Sequence, residues 1–193
     1  MTGKSSHVLR PVEADPGTLV LSRTTQQLGT EHWLLSTTRA PGTARQEWTD
    51  QGVALLPLGT LFAAVRLPAR LVLAAADEET MPSPAVDAFL SEALDGGPVI
   101  CDPHGRRYYA LVRPSMLVQW QAAARPWRAL GVDGLGRGTY LGVPRVDAVE
   151  LNPAAWRSYW SVPMSPAGTL CDSFAVAELI ANGQRSMTQE PEA

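Results

Sequence analysis

Arginine and tyrosine are concentrated in two segments, GGPVICDPHGRRYYALVRP at 96–114 and LGRGTYLGVPR at 135–145. Guanidinium groups bind phosphate oxygens in a planar fork, and aromatic rings stack on bases, so these side chains on one strand carry the chemistry of nucleic-acid contact. Arg106, Arg107 and Arg113 are the candidates for phosphates and Tyr109 for a base. Arg137, within the glycine-rich GLGRGTYLG, is a further phosphate candidate together with the backbone N–H groups around it. A solvated strand face explains the same arginines. The glycines better suit a hairpin or bulge, because no helix follows them as it does in dinucleotide and P-loop sites. Trp156 and Trp160 stand four apart in NPAAWRSYW at 152–160, where an expected helix puts them on one face. They are the candidate partner-binding residues, with core packing as the alternative.

Other chemistry has little support in the residues. Cys101 and His104 have a Cys-x-x-His spacing, but one further cysteine, Cys171, and two distant histidines do not make a closed four-ligand zinc site. There is no G-x-S-x-G elbow. The expectation is therefore no catalytic residues, no metal ligands and no cofactor.

The 193 residues are 45% apolar and can bury one substantial core, so a single domain is the default. The net charge of −3 is unevenly spread: residues 98–160 hold eight arginines against four acids, whereas 1–97 hold seven bases against eleven acids. A basic centre within an acidic chain favours a local anion-binding surface over a wholly basic one. Lys4 is the only lysine among sixteen basic residues, as a GC-rich genome would give. The N-terminus lacks the apolar core of a signal peptide, and the most apolar stretch, Val53–Ala76, is broken by Pro57, Arg66, Pro68 and Arg70. A cytoplasmic protein with no membrane partner and with reduced, buried cysteines is expected.

The elements that must position these residues are unevenly legible. Short strands are expected at 19–21 and 33–36, with TTQQLGTE between them as a turn. GVALLPLG reads as a buried strand whose Pro57 suits an edge, and LFAAVRLP fits either a helix or a strand. Ala69–Ala76 reads as a helix. A second helix starts at Pro84 with Ser83 as cap and Gly96 as terminator. Asp102-Pro-His-Gly105 suits a type I turn, predicting an antiparallel hairpin with Arg107, Tyr109, Leu111 and Arg113 on one face. A short helix at 114–120, a glycine-rich strand pair or bulged strand at 130–143, the helix at 152–160 and a last helix from Asp172 to Gly183 complete the reading.

Three segments, GVALLPLGTLFAAVRLP at 52–68, GPVICDPHGRRYYALVRP at 97–114 and LGRGTYLGVPR at 135–145, together resemble small actinobacterial, Streptomyces-type proteins related to the N-terminal domain of bifunctional DNA primase/polymerases. The resemblance spans about residues 45–160. It implies a strand ending in Pro-Leu, an acidic metal-binding motif, a strand with a histidine–aromatic signature and a glycine-rich strand ending in prolines. In such polymerases an acidic pair holds the divalent metals that align phosphates and the attacking hydroxyl. Here Ala63, Ala64 and Val65 follow LLPLG, the next acids are Asp77, Glu78 and Glu79, and Arg106, Arg107 and Tyr108 stand near where the histidine belongs.

The expected architecture is thus α/β or α+β, one degenerate primase/polymerase-like domain over 17–183 with a mostly antiparallel or mixed sheet and several covering helices. Flexible ends are expected at 1–16 and 184–193. The expected role is non-catalytic binding of nucleic acid, nucleotide or a protein partner through an arginine-rich surface. Two alternatives stand beside it: a metal-dependent nucleotidyltransferase whose ligands involve Asp77, Glu78 or Asp102, and a purely protein-binding regulator using Trp156 and Trp160.

Overall fold

In the computed structural model, which describes residues 23–152 and 154–189, helices α1 (Arg23–Leu35) and α2 (Pro41–Gln51) lead into strands β1 (Val53–Pro57) and β2 (Ala63–Pro68). Helices α3 (Ala69–Ala76) and α4 (Pro84–Ala93) then connect β2 to the hairpin of β3 (Val99–Asp102) and β4 (Arg107–Val112). Helices α5 (Pro114–Gln119) and α6 (Gln121–Ala129) precede β5 (Asp133–Leu135), β6 (Tyr140–Pro144), β7 (Tyr159–Val162) and α7 (Ser173–Gln189). Five strands form an antiparallel sheet in the order β5-β2-β4-β3-β7, and β1 pairs with β6 in a separate two-stranded sheet. The run from β2 to β5 is a β-α-β-β-α-β unit whose last strand lies beside its first, the split β-α-β arrangement. The α+β class agrees with the sequence reading.

Alternation along the strands separates two cores. Val65 and Leu67 of β2, Val99 and Cys101 of β3, and Tyr108, Ala110 and Val112 of β4 face α3, α4, α5 and α7. Ala64, Ile100 and Leu111 point the other way, against Leu56 and Leu141 of the small sheet and Leu34, Ala44 and Trp48 of α1 and α2. Trp48 fixes the second layer, its indole Nε1 donating to the Val143 carbonyl at 2.9 Å. With both faces covered near its middle, the sheet leaves its ends and edges for ligands.

Several expected elements form through the local chemistry that marks them. Ser83 caps α4, accepting from the Ala85 N–H, and Pro84 occupies the first turn, where its missing N–H costs nothing. The Asp102 carboxylate accepts from the Gly105 N–H at 2.9 Å and closes the hairpin turn. Pro57 ends an edge strand.

Others need correction. The expected turn at 24–31 and strand at 33–36 belong to α1, a helix stabilised by docking Leu34 and Leu35 into the second core. The strand expected at 19–21 and the arm at 1–16 lie outside the described residues. β5 and β6 do not pair with each other; they join different sheets, so 130–143 is a crossover. No helix spans 152–160: Asn152 Oδ1 accepts from the N–H groups of Ala154 and Ala155, and the chain then extends into β7. α7 passes Gly183 and continues to Gln189, six residues into the tail expected to be flexible. Gly183 serves close packing on α3, where a Cβ would collide with the Leu71 carbonyl oxygen.

Cys101 and Cys171 are both buried and unbridged. Burial pushes each thiol up to about 12, so neither offers a thiolate nucleophile near neutrality. These acids have higher pKa values folded than unfolded, so their contribution to stability is complete below an unfolded pKa of about 8.5 and is lost as pH rises towards about 12. Denaturant melts should therefore show stability falling through this alkaline window. At pH 8, a thiol-specific reagent should label both cysteines only as the chain unfolds; rapid labelling of the native protein would contradict the burial.

Candidate nucleic-acid interface

The β2–β4 register places Pro68 opposite Arg107 and Arg66 opposite Tyr109. Arg66 and Arg107 line a hollow of about 180 Å³ with Pro68 and Gly131. The Ala69 N–H donates to the Arg106 carbonyl at 3.0 Å, holding the end of the hairpin turn against the start of α3. One residue further on, Arg70 donates to the Leu130 carbonyl at 3.1 Å. The turn, the end of β2 and the first turn of α3 thus bring Arg66, Arg70, Arg106 and Arg107 to one end of the sheet.

Around the β5 edge lies a second cavity of about 400 Å³, walled by Trp120, Trp127, Leu117 and Met116, with Arg125 and Arg128 on its rim. Trp120 and Trp127 stack with centroids 5.4 Å apart and an interplanar angle of 30°. Phe174 of α7 meets Trp120 edge-on at 5.7 Å and is 76% exposed, which leaves an aromatic surface open to solvent. Asp133 joins the two hollows: it lines the larger one and accepts from Arg66, which lines the smaller. This pair uses one N–H of a five-donor guanidinium, so Arg66 retains donors for a ligand. The result is a strip running from Arg106 and Arg107, through Arg66 and Asp133, to Arg128, Arg125 and the tryptophans.

The residues singled out from sequence are divided by this geometry. Arg106 and Arg107 belong to the strip and are exposed. Arg113 lies beyond the opposite end of β4, about 20 Å away at strand rise. Arg137 falls with Arg113, because β5 runs antiparallel to β2 and carries the chain from Asp133 beside Arg66 to Leu135 beside Ala64. Tyr109 is half-buried and packs on the second core, so it is no free stacking platform. Within the glycine-rich segment, Gly134 lets α5 approach, since a Cβ there would lie 2.6 Å from Leu117 Cδ2.

The tryptophan pair is also corrected. Trp160 is buried in the second core with its Nε1 donating to the Arg145 carbonyl at 3.1 Å, while Trp156 sits in the preceding turn, 46% exposed. They share no face. The carboxylates of the nucleotidyltransferase alternative are separated as well. Asp102 caps its own turn, and Asp77 ends α3, about 12 Å of helix from the hairpin end. Among the described residues, no group of three or more His, Cys, Asp or Glu side chains is placed to share a metal ion. No helix there is long and apolar enough to cross a membrane.

Arg125, Arg128, Trp120 and Trp127 were not among the residues singled out from sequence. Their signal is the seven-residue spacing of the tryptophans, two helical turns, with Arg125 between them and Arg128 directly after the second. Compared with protein-family models, with curated proteins and with solved structures, the chain matches none.

Proposed function

We propose that this protein is a non-catalytic, primase/polymerase-like module that binds single-stranded nucleic acid along the β5 edge. Arg66, Arg106, Arg107, Arg125 and Arg128 hold successive phosphates, and the exposed face of the Trp120–Trp127–Phe174 cluster receives a base. The observation that carries the reading is the cavity where two stacked tryptophans and two arginines meet. Cations that follow a backbone beside aromatic platforms are the recurring means of gripping single strands without reading their sequence.

Titration with a twelve-residue oligothymidylate should quench tryptophan emission, because Trp120 and Trp127 are two of six tryptophans in the chain and lie at the contact. Trp127→Leu keeps apolar bulk against the core but removes the stacking surface. A stack is worth about 1–3 kcal/mol per base, so affinity should drop roughly 5- to 150-fold. Unchanged affinity in a folded Trp127→Leu protein would count against the proposed base contact.

A further inference from the structure

At the opposite edge of the sheet, the first turn of α4 lies against β7 and holds a second polar site. Asp87 faces a cavity of about 480 Å³ whose walls include Pro82, Pro84, Leu151 and Glu150. The Tyr159 hydroxyl donates to the Asp87 carboxylate at 2.9 Å, and the Ser161 hydroxyl donates to its Oδ1. A register shift between β3 and β7 leaves Ser161 out of the pairing, with Trp160 opposite Ile100 and Val162 opposite Val99. That bulge aims Ser161 at Asp87, the kind of re-aiming for which bulges recur beside functional sites. Behind the carboxylate, the Tyr108 hydroxyl is fully buried beside Cys101 and has no regular hydrogen-bond partner among the described residues.

The donor inventory determines what the cavity can accept. Both hydroxyl protons that reach Asp87 are engaged by it, so Tyr159 and Ser161 offer only lone pairs to a ligand, and the two carboxylates offer nothing else when ionised. Among the described residues, Ser83, whose oxygen caps α4, is the other hydroxyl on the wall, and no basic side chain lines the cavity. An anion or a pure acceptor has little to bind here. A compact cation with several N–H donors and a short apolar body satisfies both the carboxylate and the proline–leucine wall.

We infer that this cavity is a binding site for a small alkyl cation, a guanidinium or primary ammonium, held by Asp87 with Glu150 at the rim. Burial raises the Asp87 carboxyl above its ordinary range, and the hydrogen bonds from Ser161 and Tyr159 only partly oppose it. A bound cation favours the ionised form, so it should draw the Asp87 midpoint down. The other titratable groups around this carboxylate are Tyr159 of β7, Cys101 of β3 and Tyr108 of β4, all pushed upward chiefly by burial, with Glu150 across the cavity. These three stay neutral through the acid range in which Asp87 titrates.

The test uses the full chain with carboxyl-¹³C aspartate, titrated in pH alone and with n-butylguanidinium, n-butylammonium or n-butanol. Either cation should lower the Asp87 midpoint by about one unit, a tenfold preference for the ionised site, while butanol leaves it unmoved. By calorimetry, Asp87→Asn should abolish cation binding, and Glu150→Gln should weaken it about threefold through loss of a rim charge. An Asp87 midpoint indifferent to both cations, or equal binding of butanol, would overturn the inference. The midpoint measurement needs only the native sequence, so it decides the matter even if Asp87→Asn fails to fold. It is also independent of the nucleic-acid strip at the other edge.

Discussion

Replacing Arg125 and Arg128 together by alanine is expected to weaken oligothymidylate binding about 30-fold, a loss of ~2 kcal/mol. Each arginine is exposed on the rim of the tryptophan cavity, so neither substitution opens a core. Hydrogen bonds involving a charged group are worth about 1.5–3 kcal/mol when well formed, and solvent exposure lowers the sum of two such contacts to that smaller figure. Single strands lose about 0.7 in the slope of log affinity against log salt for each phosphate contact removed, so the double variant should also flatten that slope by about 1.4. Arg113→Ala/Arg137→Ala is the informative comparison. Sequence alone ranks these two beside Arg107, but they lie at the far end of the sheet, and their removal should change affinity by no more than about twofold. Equal losses in the two double variants would contradict a site confined to the strip along the β5 edge.

Gly183→Ala should destabilise the fold by about 2 kcal/mol, the reverse of what helix propensity predicts. At an open position within a 17-residue helix such as α7, alanine gains about 1 kcal/mol over glycine. Here the new Cβ meets the Leu71 carbonyl oxygen, with Leu71 Cγ and Cδ1 both 3.0 Å away, so α3 and α7 must separate. That contact joins Leu71, Val72 and Leu73 to Val176, Leu179 and Ile180 in the larger core, and separating it loosens packing along both helices. For a chain of this length, the melting temperature should fall by about 4–8 °C. Gly183→Val should cost more than alanine because it adds volume at the same point. A more stable alanine variant would show that the two helices do not approach this closely.

Where the chain announces an element by local chemistry, its sequence is readable. Ser83-Pro84 and Asp102-Pro-His-Gly105 act through short-range hydrogen bonds and a fixed proline φ, and both α4 and the β3–β4 hairpin form where these signals put them. Long-range pairing hides the rest. Arg23–Leu35 is polar over its first half, and its buried residues Leu34 and Leu35 meet strands distant in sequence, so no local pattern marks the helix. Asn152 forms the capping hydrogen bonds of a helix start, yet Tyr159–Val162 pairs with β3 and extends the chain before a helix can develop. Gly183 resembles a stop signal, and only its proximity to Leu71 reveals a packing role.

The candidate site was legible in its chemistry and only partly in its membership. Arg106 and Arg107 stand out because a tight turn concentrates them. Arg113 and Arg137 join them in sequence because strand alternation and glycine content say nothing of which end of a sheet a residue occupies. Arg125 and Arg128 are hidden by Pro126, which lies inside α6 and argues against a helix when read alone. The arginines of the turn and those of α6 become one surface only when β5 docks against β2 and brings Asp133 to Arg66.

The most direct test of the central claim is fluorescence anisotropy of labelled twelve-residue oligothymidylate with the unmodified protein, measured from about 20 to 200 mM salt. Five phosphate contacts predict saturable binding with a log–log salt slope of about −3.5. No saturable binding at the lowest salt, where phosphate contacts are strongest, would contradict the claim that the arginine–tryptophan strip grips a nucleic-acid strand.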